Sequence, residues 1–229
     1  MAGHIVALGG GGFSTQPDDL RMDAFILSLA RRPRPRVCFV PTAAGDSPTY
    51  VASFYRACAA HDCRPSDLGL FERTVSDLRG FVLEQDVVYV GGGNTASLLA
   101  VWRAHGLDAV LSEALDGGSV LCGVSAGMNC WFQASVTDSY DVAALAPLHD
   151  GLGLLPGSAC PHYDGEPQRR PTYRALVQDG FPPGYAADDA AALHFADGEL
   201  REVLSTREGA TAYRVDATGE RALPARVLR

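Results

Sequence analysis

Ser125 stands in the run G-V-S-A-G at residues 123–127, directly after the apolar stretch 119–124. A serine with glycines two residues before and two after is the pattern of a nucleophile elbow, a sharp strand-to-helix turn that pushes the hydroxyl out of a sheet. A helix expected over 128–133 would aim its free N–H groups and positive dipole end at the same point. Such a serine needs a base to take its proton, an acid to orient that base, and donors for the developing oxyanion. The same five residue types also occur in chemically silent glycine-rich turns, so the partners must be found elsewhere in the chain.

Six histidines are available as the base. His4 opens the first apolar run, and His61 and His105 fall at expected helix ends, where solvated histidines are common. His149 sits in a loop beside Asp150, and His194 lies within a C-terminal strand-like run. His162 follows an apolar run and Pro161, which places it just beyond a strand end and favours it. For the acid, Asp188 and Asp189 stand between alanines 186–187 and 190–192. Two adjacent carboxylates in apolar surroundings are costly unless paired or functional. Asp138 and Asp141, nearer the serine, remain alternatives. The oxyanion donors would be the N–H of Ala126 and one N–H of the glycine loop 91–93, that of Gly93.

The elements that must position these groups alternate. A strand at 4–8 stops at four glycines, 9–12. The dinucleotide register G-x-G-x-x-G fails there, because Ser14 or Thr15 stands where the last glycine is needed. A close backbone approach is the reading those glycines support. Helix periodicity covers 18–31, a buried strand 36–41, a helix 49–60, a β-like piece 67–71 and a short helix 75–79. A strand at 86–90 runs into G-G-G-N-T at 91–95, and helical pieces at 96–102 and 106–115 precede the nucleophile strand. Downstream come apolar pieces at 145–148 and 152–156, a helix at 171–178 and short β runs at 191–195, 201–204 and 212–215. The turn signals Asp197-Gly198 and Thr218-Gly219 predict hairpins among those runs. The fold class is therefore α/β, a mostly parallel sheet sandwiched by helices with C-terminal β-hairpins. In such sheets the active crevice lies beyond the carboxyl ends of the strands, where Ser125 and the 91–94 loop both fall. No linker or repeat divides the chain, so one domain over 1–229 is expected.

Composition bounds the function. The chain has 229 residues, 47% hydrophobic and 20% charged, with a formal net charge of −8. That charge argues against a nucleic-acid or anionic-membrane binder, which needs a basic face. No apolar run approaches a membrane span, and the first ten residues lack the pattern of a signal peptide. The six cysteines form no C-x-x-C pair or zinc spacing, so they are expected as reduced thiols in a cytoplasmic protein.

Three segments in order, V-G-G-G-N-T at 90–95, G-V-S-A-G-M-N at 123–129 and C-P-H-Y at 160–163, resemble the peptidase E (aspartyl dipeptidase) family of serine peptidases. The resemblance spans most of the chain. It implies a fold like that of class I glutamine amidotransferases and an enzyme that needs no metal or organic cofactor. By position it makes Ser125 the nucleophile and His162 the base, with Gly93 and Ala126 as oxyanion donors. Asp189 takes a place where the family usually carries glutamate, a departure that shortens the acid by one methylene. Asn94 of the glycine loop is a candidate substrate contact. Arg169 matches the arginine that reads the substrate's aspartyl carboxylate, with Arg170 one residue away.

The expected partner is a small peptide, with no nucleic acid or membrane, and a homodimer is allowed. Two other readings compete. An α/β-hydrolase-type esterase would need the order Ser, acid, His, met only by Asp138, Asp141 or Asp150 ahead of His162 or His194. A non-catalytic amidotransferase-like binding domain would keep the elbow without its chemistry.

Overall fold

The computed structural model describes residues 3–229, so the first two residues of the N-terminal segment read above lie outside the described residues. Two sheets organise the chain. The larger contains β1 (His4–Leu8), β2 (Arg36–Val40), β3 (Arg64–Asp67), β4 (Val87–Val90) and β5 (Val120–Val124) as parallel neighbours in the order β1-β5-β4-β2-β3. Its other edge is extended by β10 (Ala191–Ala196), antiparallel to β1, then β11 (Glu199–Ser205) and β14 (Ala225–Val227). β1, β4 and β5 are apolar almost throughout and buried, the pattern of strands covered on both faces.

The second sheet has the order β13-β12-β9-β8-β6-β7. Its strands are β6 (Phe132–Thr137), β7 (Ala146–Leu148), β8 (Leu155–Cys160), β9 (Gly184–Ala187), β12 (Ala212–Asp216) and β13 (Gly219–Leu223). β6, β8 and β9 run parallel, and antiparallel strands close each edge. The two expected hairpins form, but they separate: β10–β11 joins the first sheet and β12–β13 the second. One buried cluster carries side chains from both, including Leu121, Phe132, Ala159 and Phe195.

The helices are α1 (Gly12–Thr15), α2 (Arg21–Ser28), α3 (Pro48–Cys58), α4 (Leu78–Leu83), α5 (Thr95–His105), α6 (Leu107–Asp116), α7 (Ala126–Asn129) and α8 (Arg169–Gln178). Their ends follow local chemistry. Asn94 caps α5 by accepting the Ser97 N–H at 2.8 Å, and Gly106 closes that helix at φ 70°. Pro48 opens α3, where its missing N–H costs nothing. No helix among the described residues is long and apolar enough to cross a membrane. All six cysteines are buried and unpaired.

Several elements differ from the sequence reading: the short helix expected at 75–79 lies at Leu78–Leu83, and β9 and β14 carried no expectation. The third strand is the polar 64–67, not the apolar 67–71. It is an edge strand, where Pro65 and a solvated face are tolerated, so hydrophobicity did not mark it. The helix after Ser125 ends at Asn129, and Phe132–Thr137 is a strand instead of a continuation of that helix. A short apolar run such as C-W-F does not distinguish the two by periodicity.

Asp23 of α2 is the buried exception on the core side. It is 7% exposed, and burial pushes its carboxyl up to about 6. A carboxyl whose folded-state value is raised binds more protons folded than unfolded. Its contribution to stability therefore falls as pH rises from about 4 to 6 and stays low above that. A shift of this size corresponds to at most about 3 kcal/mol. Asp23→Asn is expected to raise Tm by several degrees at pH 8 and to leave it nearly unchanged at pH 4, read by thermal melts. Equal changes at both pH values would remove the charge-burial explanation.

Candidate active site

Ser125 follows β5 with φ 58° and ψ −111°, a conformation that side-chain-bearing residues rarely adopt. The flanking glycines permit it through close packing. A Cβ on Gly123 would lie 2.5 Å from the Gly127 carbonyl oxygen, and one on Gly127 would lie 2.5 Å from that of Val90. The chain therefore turns sharply out of β5 into α7 with its backbone pressed against β4. The 91–94 loop lies across the turn: a Cβ placed on Gly92 would come within 3.3 Å of the Ser125 Cβ and 3.9 Å of its Oγ. The Gly92 N–H donates to Tyr50 Oη at 3.1 Å, and that hydroxyl shares a 2.5 Å hydrogen bond with Ser14 Oγ. The Gly93 and Ala126 N–H groups donate to no protein acceptor among the described residues. Both are free to serve an oxyanion.

His162 and Asp189 come from the other sheet. His162 follows the end of β8 with φ 54°, and Asp189 follows the end of β9. His162 Nδ1 and Asp189 Oδ1 lie 2.7 Å apart. An ionised carboxylate only accepts, so Nδ1 carries the proton and a neutral ring keeps Nε2 as an acceptor. That hydrogen bond holds the Asp189 carboxyl below the usual carboxylate range, against the opposing effect of partial burial. Among the described residues no hydrogen bond joins Ser125 to His162. In unliganded sites this contact is commonly long and closes when substrate binds.

The end of β1 ties the two halves together. The Leu8 carbonyl accepts the Ser125 N–H at 3.1 Å, Gly9 that of His162 at 3.2 Å, and Gly10 that of Ala190 at 3.1 Å. Three successive carbonyls thus hold the serine, the histidine and the residue after Asp189. Gly10 itself lies against the pair, since a Cβ there would fall 2.0 Å from Asp189 Oδ1 and 3.2 Å from His162 Nδ1. The glycine run 9–12 predicts a close backbone approach, and at Gly10 what it approaches is this pair.

Asp188 takes a different direction. It is buried, its Oδ2 accepts the Thr211 N–H at 3.0 Å and the Tyr213 hydroxyl at 3.4 Å, and burial pushes its carboxyl up. The other candidate acids are engaged elsewhere. Asp138 lies 3.9 Å from Arg169, Asp141 accepts the Ala143 N–H, and Asp150 pairs with Arg103. His149 is exposed beside Phe181, and His194 shares a 3.0 Å hydrogen bond with His4 on the far side of β1.

The side chains read as substrate contacts are all held by the protein. Asn94 spends its Oδ1 on the α5 cap and donates from Nδ2 to the Ser139 carbonyl at 2.8 Å. Arg169 is 3% exposed, donating to Glu166 at 2.7 Å and to the Val136 carbonyl at 3.2 Å. Arg170 pairs with Glu220 and lies over the rings of Tyr163 and Tyr213. Among the described residues no group of three or more His, Cys, Asp or Glu is set to hold a metal ion.

Comparison with known proteins gives a family. The model of peptidase family S51 matches residues 5–203. The uncharacterized peptidase YgaJ of Bacillus subtilis (strain 168) is 53% identical over 213 residues, covering 93% of this chain and 91% of that one. Peptidase E of Streptomyces coelicolor is 35% identical over 131 residues, 56% of this chain and 51% of its own. Among solved structures, a peptidase from an acI-B1 actinobacterium superposes with a TM-score of 0.73 at 18% identity, covering 98% of this chain and 95% of that one. That last likeness is one of fold, and it accords with the amidotransferase-like α/β architecture.

Proposed function

Because the chain belongs to peptidase family S51 and is a serine-type peptidase, we propose that it hydrolyses short peptides through Ser125, His162 and Asp189. The observation that carries this reading is the 2.7 Å His162–Asp189 hydrogen bond, held on the same strand end as the strained serine. Ser125 Oγ attacks the scissile carbonyl as His162 Nε2 takes its proton. The Asp189 carboxylate keeps Nδ1 protonated and stabilises the imidazolium that forms. The N–H groups of Gly93 and Ala126 receive the tetrahedral oxyanion. His162 then passes the proton to the departing amine, and water repeats the sequence on the acyl-enzyme. The order Ser, His, acid separates this mechanism from the α/β-hydrolase esterase reading. Six unpaired thiols support a reducing compartment, the cytoplasm.

For substrate choice we propose a range of short peptides, without selection for N-terminal aspartate. Both arginines that could read an aspartyl carboxylate already have carboxylate partners. Asp-X and X-Ala dipeptides assayed in parallel are expected to be cleaved within about tenfold of one another. Arg169→Ala and Arg170→Ala are expected to leave the relative rates unchanged. A strong Asp-X preference that one of these variants loses would overturn the specificity reading. Absence of hydrolysis across the whole panel would overturn the short-peptide reading.

A further inference from the structure

Asp189 is a short acid in an open position, its side chain 41% exposed. A carboxylate with that much freedom does not orient an imidazole unless its backbone is held. The local backbone is also strained, because the next residue, Ala190, has φ 67°. Two side chains outside the proposed triad supply the restraint. Asp164 Oδ1 accepts the Asp189 N–H at 2.8 Å. Arg207 Nη2 donates to the Asp189 carbonyl at 3.0 Å and to Asp164 Oδ2 at 2.5 Å. A closed ring of hydrogen bonds therefore joins the two peptide groups of one residue through a carboxylate and a guanidinium. The ring is anchored on both sides. Asp164 lies two residues after His162, and the Arg207 N–H is held by the buried Ser205 hydroxyl at 3.0 Å, at the end of β11.

We propose that Arg207 and Asp164 are positioning residues for peptide hydrolysis, a clamp that fixes the Asp189 backbone so that its short side chain reaches His162. The inference rests on the Ser125–His162–Asp189 reading and extends it to two residues that touch neither the substrate nor the imidazole. An aspartate side chain is short, so it needs its backbone close to the histidine, and Gly10 leaves the room for that approach.

The bland alternative is a solvated surface ion pair. Arg207 is 48% exposed on its side chain and Asp164 33%, and such pairs contribute little to folding. That makes the test clean, since loss of the arginine should not unfold the protein. A second alternative is that Arg207 contacts substrate.

The experiment compares wild type with Arg207→Met, Arg207→Lys, Asp164→Ala and Asp189→Asn. Its readouts are kcat and KM on a dipeptide that wild type cleaves, and the low-field proton NMR resonance of His162 Nδ1–H. Arg207→Met and Asp164→Ala are expected to lower kcat by roughly tenfold to a hundredfold, with KM within about twofold and the resonance lost or broadened. One nitrogen of Arg207 makes both bonds, so an ammonium can replace it. Arg207→Lys is expected to recover kcat to within a few-fold of wild type together with the resonance. A raised KM at unchanged kcat in Arg207→Met would make it a substrate contact and overturn the proposal. Unchanged kcat and resonance in both Arg207→Met and Asp164→Ala would overturn it while leaving the triad standing, provided Asp189→Asn loses activity. Full activity in Asp189→Asn would instead remove the triad reading on which the clamp depends.

Discussion

Ser125→Ala is expected to reduce peptide hydrolysis by about 10⁴-fold to 10⁶-fold while leaving the melting temperature close to that of wild type. The size follows from the role. Without Oγ no acyl-enzyme forms, and what remains is the rate provided by binding and the donors at Gly93 and Ala126. The fold should survive because alanine meets the same φ 58° as serine, and the side-chain hydroxyl makes no hydrogen bond among the described residues that its loss would break. The turn is held by its backbone, through the Leu8 carbonyl and the packing of Gly123 on Gly127. A phosphonylating serine reagent followed by peptide mass mapping gives an independent check: one label on Ser125 in wild type, none in the variant. Retained hydrolysis in Ser125→Ala would remove the serine from the chemistry altogether.

Asp189→Asn is expected to lower kcat by about 10⁴-fold with little change in KM. The amide that replaces the carboxylate can present its NH₂ to Nδ1. The ring then adopts the tautomer with the proton on Nε2, which faces the serine and can no longer accept. The depressed Asp189 value means the carboxylate stays charged through the neutral and mildly acidic range, so the loss should be seen across that whole range. Asp188→Asn is the informative contrast. Asp188 is as close in sequence but bonds to Thr211 and Tyr213 and sits near no imidazole, so kcat should stay within a few-fold of wild type. If Asp188→Asn lost activity and Asp189→Asn kept it, the assignment between the two would be reversed.

The contrast between these neighbouring aspartates shows where sequence legibility stopped. A pair of carboxylates among alanines could be singled out by type, but not separated, because successive residues in a turn point in unrelated directions. The arginines are a different case. Arg169 and Arg170 come from the family resemblance, and a matching position along the chain says nothing of Glu166, Glu220, Tyr163 and Tyr213, which hold them. Asn94 was visible as part of the glycine loop, and its position before a helix is also the signature of an N-cap. The structure shows that second role occupying its side chain. Arg207 had no signal at all, since nothing local marks an arginine after a strand as the partner of an acid eighteen residues earlier.

What the sequence by itself determined is the elbow and its class of chemistry. Glycines at 123 and 127 around Ser125 encode a local steric requirement, and alternating apolar runs encode strands buried between helices; both depend on neighbours in the chain. Only the tertiary structure decided that Ser125, Gly93 and Ala126 rise from one sheet while His162 and Asp189 descend from another. The end of β1 holds them together with three carbonyls in a row, and those bonds join residues more than a hundred positions apart. Such contacts are set by packing between sheets, which no local pattern records. The turn at Ser125 was therefore readable from five residues; the resemblance named His162 and Asp189 beside it, and the fold supplies the geometry that brings them to one strand end.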